Sequence, residues 1–374
     1  MKHLIYADNA ATTQMDVDAF EAMKPYLLQE YGNASQPYSF ARQPKKAIQE
    51  AREIIASCIG ALPEEIYFTS GGTESDNWAI KGTAFRNYDH RATITSAFEH
   101  HAVLHACESI ERLGCPVAYM WPDSTGLVSP EILARYITDE TMLVSVMYAN
   151  NEIGSIQPIK DLCEVAHAHG ALFHTDAVQA VGHVAIDVND LGVDMLSASA
   201  HKFNGAKGVG FLYVRKGTKL LPFTDGGAQE HGLRAGTENV AGIVSMAVAL
   251  KKNIDDLENN QRHLFELETM LFQALNESGI SYVRNGGDYT LPGVISLSFD
   301  GKDGEAILHR MDLMGISIST GSACDSKNTE ISHVLKAIRI PENLAKGTIR
   351  ISLGKYNSFE EVIEIASALK RILL

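Results

Sequence analysis

The chain has 374 residues, with 46 acidic against 32 basic side chains and a formal net charge of −14. Its length predicts two domains, and its negative charge argues against broad, nonspecific contact with nucleic acid. Five cysteines without a CxxC pair predict a reduced, intracellular protein with no metal site, and no uncharged run approaches the ~18 residues of a membrane span; we therefore expect a cytoplasmic location and no membrane partner.

Short apolar runs alternate with helical patterns from about residue 45 to 215, which is typical of parallel βαβ units with helices on both faces of a sheet. The predicted strands are EIYFTS, ATITSA, PVAYMW, TMLVSVMYAN, ALFHTD and VDMLSA, and the helices between them include ESDNWAIKGTAF, HHAVLHACESIERLG and IKDLCEVAHAHG. The run GVGFLYVRKG, near 208–217, is predicted as a hairpin arm that closes the sheet. This region is therefore α/β.

A long helical stretch, roughly 238–278, leads to a second region with a different composition. The predicted strands GVISLSF, GISIS and TIRISLG are separated there by helices, as in a smaller α+β domain. We place the large domain at residues 15–257 and the small domain at 1–14 and 258–374. The sequence places the domain boundary near 255–260 only to within several residues, because one continuous helix could cross it.

The stretch SASAHKFNGAKGVG, residues 197–210, places Lys202 at the end of an apolar run, where the backbone turns into open space. A lysine that is desolvated or set beside another cation loses proton affinity and becomes a nucleophile able to form a Schiff base. On this stretch alone, an ordinary phosphate-binding or surface lysine is slightly the better interpretation.

Polar residues also follow the neighbouring predicted strands. Asp176 ends the strand ALFHTD, and Asn151 follows the strand before it. Ligands of parallel α/β sheets gather at the C-terminal ends of the strands, so Asp176, Asn151 and Lys202 are expected to converge. An aspartate beside a Schiff-base lysine is what pyridoxal phosphate requires, because the carboxylate keeps the pyridine nitrogen protonated and makes the ring an electron sink. A strand-end cap is the alternative role for Asp176.

The stretch TSGGTESDN, residues 69–77, has glycines at a strand-to-helix junction, where backbone amides and the helix dipole form an anion site. Taken alone the signal is weak, since Gly-Gly turns also precede helices for structural reasons. Together with Ser199 and His201 it predicts a phosphate cup. His100, at another strand end, could stack on the pyridine ring and shuttle protons, whereas His101 is expected on a solvated helix surface.

Nine motifs occur in order over nearly the whole chain: ADNAATT, TSGGTESDN, EHHAVL, NNEIG, HTDAVQA, SAHKFNGAKGVG, LRAGTEN, STGSACDS and IRISLG. In this combination the sequence resembles the NifS/IscS-type cysteine desulfurases, class V aminotransferases that depend on pyridoxal 5'-phosphate and have fold type I. The resemblance implies a large domain with a mainly parallel seven-stranded sheet flanked by helices, a smaller α+β domain, and conversion of L-cysteine to L-alanine.

The resemblance also implies a role for each site residue. Lys202 would carry the cofactor as a Schiff base, Asp176 would pair with the pyridine nitrogen, and His100 would stack on the ring. The other implied cofactor ligands are Gly72, Thr73, Asn151, Gln179, Ser199, His201 and, from the second subunit of a homodimer, Thr237. Asn33, Asn151 and Arg350 would bind the substrate, Arg350 through a bidentate fork to its carboxylate.

Cys324 lies among small and polar residues in STGSACDSKN, residues 319–328. By the resemblance it is the catalytic thiol, which takes the substrate sulfur as a persulfide and passes it to an acceptor protein for iron–sulfur clusters, thiolated tRNA or thio-cofactors. A loop of small residues suits a thiol that must move. A solvent-exposed bystander is the alternative. The other four cysteines lie in helical or strand patterns and are expected to be packing residues.

The sequence departs from the family pattern at several positions. The early loop GNASQPYSF has Ala34 and Tyr38 where a proline and a histidine are common, and Asp325 follows Cys324 where threonine or serine is usual. The charge of Asp325 is expected to raise the pKa of the thiol. Two other functions remain open: a selenocysteine lyase or aminotransferase-like enzyme on the same fold, and a catalytically weak sulfur carrier.

Overall fold

The structure, a computed structural model, describes residues 4–86, 91–320 and 331–374. Its strands are β1 (Ile5–Tyr6), β2 (Ile66–Thr69), β3 (Ala92–Ser96), β4 (Val117–Met120), β5 (Thr141–Ser145), β6 (Leu172–Asp176), β7 (Met195–Ser199), β8 (Gly210–Val214), β9 (Val283–Asn285), β10 (Val294–Ser298), β11 (Ile316–Ser317) and β12 (Thr348–Ser352). Its helices are α1 (Val17–Leu28), α2 (Arg42–Ile59), α3 (Gly72–Ala84), α4 (His101–Glu111), α5 (Pro130–Leu133), α6 (Ile159–Ala168), α7 (Val188–Leu191), α8 (Val240–Asp255), α9 (Leu257–Ser278), α10 (Gly304–Leu313), α11 (His333–Ala337), α12 (Glu342–Ala345) and α13 (Phe359–Leu373). Within these ranges no helix is long and apolar enough to cross a lipid bilayer.

The main sheet has, in the described residues, seven strands in the spatial order β2-β8-β7-β6-β5-β3-β4. Strands β7, β6, β5, β3 and β4 pair in parallel, while β8 is antiparallel to both β7 and β2. Every residue of β5, β7 and β8 is buried, as expected for strands covered by helices on both faces. The predicted α/β architecture with a mainly parallel sheet is confirmed.

Strand β8 differs from its prediction. It does form an antiparallel arm with β7, but it does not close the sheet, because β2 pairs with its other edge. The five residues of β8 are all buried, and a strand in the sheet interior needs a hydrogen-bonding partner on each side. Strand β2, which comes much earlier in the chain, supplies the second partner.

The parallel strands bring several loop segments to one edge of the main sheet. Helix α3 follows β2 and packs across β7 and β8, and α6 packs against β6. The largest fully buried side chain, Trp78 on α3, anchors this helix in the core beside the sheet. The segments that follow β3, β5, β6 and β7 therefore meet near the start of α3.

A second core contains residues from both ends of the chain. It combines Ile5 and Ala7 with apolar residues of α9, α10, α13 and the three-stranded sheet β12-β10-β9. Strand β1 pairs in parallel with β11, and a bridge between Asp8 and Ser352 joins this pair to β12. Helix α11 instead packs its apolar face on the main core. The domain limits given above stay a prediction.

The predicted helical stretch 238–278 is broken at one residue. Helix α8 ends at Asp255 and α9 begins at Leu257, with Asp256 at φ −102° and ψ 13° between them. The two helices pack on different partners, since α8 lies against α1 and α2 whereas α9 lies against α13. The break at Asp256 lets α8 pack in the main core and α9 in the second core.

Candidate active site

A cavity of about 580 Å³ lies where the loops after the parallel strands meet. Its wall includes these predicted site residues: Gly72, Thr73, His100, Asn151, Asp176, Gln179, Ser199, His201, Lys202 and Arg350. Two other predicted residues lie elsewhere: Thr237 is exposed, and the Asn33 side chain accepts a hydrogen bond of 2.9 Å from the Ser35 backbone N–H. Cys324 lies outside the described residues.

Lys202 lies at the end of a short 3-10 turn that directly follows β7. Its Nζ donates hydrogen bonds to the carbonyl oxygens of Ala10 and Ala11, at 2.5 and 2.9 Å. The Lys202 carbonyl in turn accepts a bond of 2.9 Å from His183 Nε2. The N-terminal motif ADNAATT thus orients the amine at the cavity wall through neutral carbonyl groups. This motif was identified in the sequence, but no role in the site was predicted for it.

Asp176 is the last residue of β6 and only 5% exposed. Its Oδ1 accepts a hydrogen bond of 2.9 Å from the Val178 backbone N–H. Burial raises the pKa of Asp176 to about 6, although this hydrogen bond and the charge of Lys202 act in the opposite direction. A buried carboxylate with so little stabilisation is well matched to a cationic group of a ligand, such as a protonated ring nitrogen.

Two further carboxyl groups lie around this part of the site. Burial and then the charge of Asp176 raise the pKa of Asp76 well above its usual value. Burial also raises the pKa of Glu99 to about 8, although its Oε1 accepts bonds from Ser96 Oγ at 2.5 Å and the Met147 N–H at 2.9 Å. Asp76 Oδ1 and Glu99 Oε2 have no hydrogen-bond partner in the part of the chain that the structure describes. Glu99 therefore holds a proton at neutral pH, and ionisation of Asp76 is disfavoured.

Sequence reasoning missed these two acids. Asp76 belongs to the motif TSGGTESDN, and Glu99 directly precedes His100 in EHHAVL. The signal that could have found them is an acidic residue placed one helical turn after the glycine turn, or at a strand end, where a buried position is expected.

His100 is the residue that precedes and caps α4. Its Nδ1 accepts a hydrogen bond of 3.1 Å from the Ala102 N–H. Burial, followed by the positive charge of Lys202 and by neighbouring imidazoles, lowers the pKa of His100 to about 4. The ring is therefore neutral at pH 7, and with Nδ1 accepting it carries its proton on Nε2. Such a ring can donate a hydrogen bond from Nε2 or stack on a flat ligand.

His101 differs from its prediction. It lines the cavity, because the start of α11 packs against α4 there: the ring centroids of His101 and His333 are 4.7 Å apart. His333 Nε2 donates to the Glu99 carbonyl oxygen at 2.8 Å, and the adjacent Ser332 donates to Glu152 at 2.6 Å. Residues 332 and 333 were not predicted as part of the site, since nothing local shows that α11 packs on α4.

The turn before α3 has the features of a phosphate site. Helix α3 begins at Gly72, and among the described residues no side chain caps it at Gly71, so its first N–H groups remain available to a ligand. A Cβ on Gly72 would lie 2.5 Å from Val178 Cγ2, so only glycine fits there. Ser199 and His201 line the same cavity. This set of amide, hydroxyl and imidazole donors fits the phosphate of pyridoxal phosphate.

Arg350, on β12, is only 3% exposed. Its Nη1 donates to the Asn151 carbonyl oxygen at 2.8 Å, and its Nη2 donates to Asp8 Oδ1 at 2.7 Å. Within the described ranges its Nε has no partner. A guanidinium has five N–H groups, so donors remain for a carboxylate, but Asp8 already takes part of the fork that sequence reasoning reserved for the substrate. Asp8 was not predicted, because its partner is distant in sequence.

Comparison with known proteins covers the whole chain. The family described as aminotransferase class-V matches residues 5–365. A cysteine desulfurase IscS of Dictyoglomus turgidum is 48% identical, covering 100% of this chain and 95% of that protein. A solved structure titled "NIFS-LIKE PROTEIN" is 37% identical with a TM-score of 0.94 and covers 99% of both chains. Another, titled "SspA in complex with cysteine", is 38% identical with a TM-score of 0.85, covering 96% of this chain and 100% of the other.

Proposed function

The chain belongs to the class-V aminotransferase family and, within it, to the NifS/IscS-type cysteine desulfurases, and on this premise we propose how its cavity works. The observation that carries the proposal is the convergence of Lys202, Asp176 and the start of α3 on one cavity. An amine, a buried carboxylate and an anion site at three points match the aldehyde, ring nitrogen and phosphate of one cofactor. The cavity therefore holds pyridoxal phosphate.

Each part of the cofactor has a group of this chain to hold it. Lys202 binds the aldehyde through Nζ, Asp176 pairs with the ring nitrogen, and the N-terminal turn of α3 with Ser199 and His201 binds the phosphate. Gln179 bonds the ring hydroxyl, since it lines the cavity and its amide is fixed by a 2.9 Å bond to the Ala10 carbonyl. When bound, pyridoxal phosphate supplies an electron sink that stabilises a carbanion at the substrate α-carbon.

Lys202 handles the substrate proton, and His100 assists as a neutral ring. Lys202 Nζ, oriented by the Ala10 and Ala11 carbonyls, takes the α-proton of the substrate. The ring of His100, which its low pKa keeps neutral at pH 7, would stack on the cofactor and would offer its Nε2–H as a hydrogen-bond donor. Because Lys202 Nζ is held at the cavity wall by these two carbonyl groups, the proton that it takes is available for return to the product.

The substrate is L-cysteine, and the solved relative in complex with cysteine supports this assignment. Its carboxylate would bind at Arg350 and Asn151, which line the cavity; a substrate contact of Asn33, in the early loop, rests on the family resemblance. The thiolate of Cys324 attacks the substrate sulfur: an S–S bond forms, the C–S bond breaks, and the three-carbon product is protonated to L-alanine. The sulfur remains on Cys324 as a persulfide until an acceptor protein of iron–sulfur cluster assembly or thiolation takes it. The role of Cys324 rests on its motif.

We also propose a homodimer in which Thr237 reaches the phosphate of the partner subunit. Thr237 is exposed in this protomer, and the next residue, Glu238, accepts a 3.0 Å bond from Ser35. That contact joins the Thr237 segment to the early loop, where large apolar side chains are exposed. Exposed apolar residues of α1 and this loop are Val17, Phe20, Leu27, Leu28, Tyr31, Tyr38 and Phe40. Such a cluster suits contact with a second copy.

The other cysteines support a reducing, cytoplasmic setting. Cys58, Cys107, Cys115 and Cys163 are free thiols with buried side chains, as their sequence patterns predict. Burial raises the pKa of Cys58 to about 11 and of Cys163 to about 12. Thiols with such raised pKa values are poor nucleophiles, so Cys58 and Cys163 are poorly suited to accept sulfur.

The test is a comparison of two cysteine variants of the holoenzyme. With L-cysteine and a reductant, Cys324→Ala is expected to lose alanine and sulfide production by about a hundredfold or more, as removal of a nucleophile does, while the bound cofactor keeps its yellow colour. Cys58→Ala, which removes a buried packing thiol, serves as the matched control and retains turnover. Amino-acid analysis and sulfide release give the two readouts.

Other outcomes would favour the alternative functions. A Cys324→Ala enzyme that still releases its product from selenocysteine, or that transaminates, points to a selenocysteine lyase or an aminotransferase-like enzyme. A colourless parent protein that takes up no pyridoxal phosphate points to a sulfur carrier without catalysis.

A further inference from the structure

An ion pair lies beside the turn that we assign to the cofactor phosphate. Arg234 Nε donates to Glu74 Oε1 at 2.8 Å, and Arg234 Nη2 donates to Glu74 Oε2 at 3.1 Å. The two side chains are 23% and 12% exposed. Glu74 Oε2 also accepts a 2.8 Å bond from the Ser70 backbone N–H. One carboxylate thus joins Arg234 to both sides of the Gly71–Gly72 turn.

Glu74 is ionised and lies in the cavity wall. Burial alone would raise the pKa of its carboxyl, but the hydrogen bonds from Arg234 and Ser70 lower it. Glu74 lines the cavity together with Thr73, in the first turn of α3. A carboxylate is favourable at a helix N-terminus, but it repels a phosphate that binds at the same amides. The lysines and the arginine that line this cavity, Lys202, Lys207 and Arg350, belong to other segments of the chain.

The segment that carries Arg234 is itself fixed. The Ala235 N–H donates to the Thr224 carbonyl at 3.2 Å, and the Gly236 N–H donates to Gln229 Oε1 at 3.2 Å. At the other side of the segment, buried Glu230 forms an ion pair with Arg52 at 2.7 Å. Arg234 therefore extends from a segment that is fixed by hydrogen bonds and an ion pair, and it can hold Glu74 in one position.

We propose that Arg234 is a positioning residue for phosphate binding: through Glu74 it neutralises a carboxylate at the phosphate turn and fixes the turn's geometry. The proposal rests on the proposed function, since it takes this cavity as the pyridoxal phosphate site. It assigns Arg234 no contact with the phosphate. The proposal has a specific consequence: the loss of Arg234 weakens phosphate binding mainly because Glu74 then remains as an unpaired negative charge.

The experiment measures the affinity of the cofactor-free, full-length protein for two probes, pyridoxal phosphate and pyridoxal, by absorbance titration. Arg234→Gln is expected to weaken pyridoxal phosphate binding by about tenfold or more, as the loss of one partner of a half-buried charge pair does, and to weaken pyridoxal binding by less than about threefold. Inorganic phosphate should compete with pyridoxal phosphate correspondingly less well in this variant.

A second substitution provides the internal test. The double variant Arg234→Gln with Glu74→Gln is expected to regain most of the lost affinity, because no unpaired carboxylate then faces the phosphate. Arg284→Gln is the matched control: Arg284 pairs with Glu268 at 2.6 Å, with side chains 32% and 11% exposed, away from the cavity. It should leave both affinities unchanged.

The outcomes separate this inference from the proposed function. Equal losses for pyridoxal phosphate and pyridoxal, or a double variant as weak as Arg234→Gln, would overturn the role of Arg234 while the cofactor assignment stands. An unchanged affinity in Arg234→Gln would do the same. A parent protein that binds neither probe overturns the proposed function, and the inference falls with it.

Discussion

Buried carboxyl groups occur both around the cavity, at Asp76, Asp176 and Glu99, and at the start of α1, at Asp16. Asp16 is 1% exposed and accepts hydrogen bonds from Lys252 Nζ at 3.1 Å and the Tyr356 hydroxyl at 2.9 Å. Burial opposes its ionisation, but these bonds outweigh burial and lower the pKa of Asp16 to about 2.

The cavity acids have the opposite balance. Burial dominates at Glu99 and Asp76 and raises the pKa of each, and an oxygen of each has no partner in the described residues. The Asp16 cluster thus gives a carboxylate its own cations and gains stability from them. In the described residues no lysine or arginine pairs with Asp76 or Glu99, which costs stability; Asp76 lines the cavity, where a bound ligand can influence its charge. Such departures from local satisfaction are expected at functional sites.

The largest effect expected from this comparison is a change in how the unfolding free energy depends on pH in the variant Glu99→Gln. The folded-state pKa of Glu99, about 8, lies above the unfolded value of about 4.3. Its contribution to stability is therefore full below the unfolded value and is lost as the pH rises towards 8. Glutamine keeps the acceptor for Ser96 and Met147 but cannot ionise. Between pH 5 and 8, the unfolding free energy of the variant should therefore rise relative to that of the parent by up to about 1.4 kcal/mol per pH unit.

Urea unfolding of the cofactor-free protein at several pH values measures this difference. Parallel curves of unfolding free energy against pH for the parent and Glu99→Gln would contradict the protonated state of Glu99.

A smaller effect of opposite sign is expected for Asp16→Asn. The folded-state pKa of Asp16, about 2, lies below the unfolded value, so its stabilisation is present above the unfolded value and is lost as the pH falls towards 2. The variant should lose about 2 kcal/mol of unfolding free energy at pH 7, because charged hydrogen bonds are removed while Lys252 and Lys355 remain. The gap should close between pH 4 and pH 2.

The same unfolding assay tests this prediction, with Glu342→Gln as control. Glu342 pairs with Lys346 on the surface, with side chains 70% and 63% exposed, and its loss should not be measurable. If the difference in unfolding free energy between Asp16→Asn and the parent stayed constant down to pH 2, the charge of Asp16 would not be the source of its stabilisation.

Much of the fold is visible in the sequence because the strands of the main sheet are short apolar runs bounded by turns. The strand ALFHTD appears as β6 and TIRISLG as β12. The position of β8 between β2 and β7 was not visible, since β8 and β2 are paired over a large sequence distance. The break at Asp256 escaped prediction for a related reason: tertiary packing, rather than a local breaker, separates α8 from α9.

The site follows the same division. The convergence of Lys202, Asp176 and His100 on one cavity was predictable because each ends a strand or follows one, and the C-terminal strand edges of a parallel sheet meet. Several contacts that hold other residues of the cavity were missed. Asp8 on Arg350, Arg234 on Glu74 and Ser332 on Glu152 are pairs between distant segments, and no local pattern marks either partner. The place where the strand-end residues meet was therefore predictable, whereas the contacts between distant segments were not.

The measurement that tests the central claim most directly is chemical trapping of the cofactor. The purified enzyme is reduced with borohydride and digested, and the peptides are mapped by mass spectrometry. We expect a pyridoxyl phosphate label on the peptide that contains Lys202 and on no other. A label on a different lysine, or none on a protein that carries the cofactor, would contradict the assignment of this cavity.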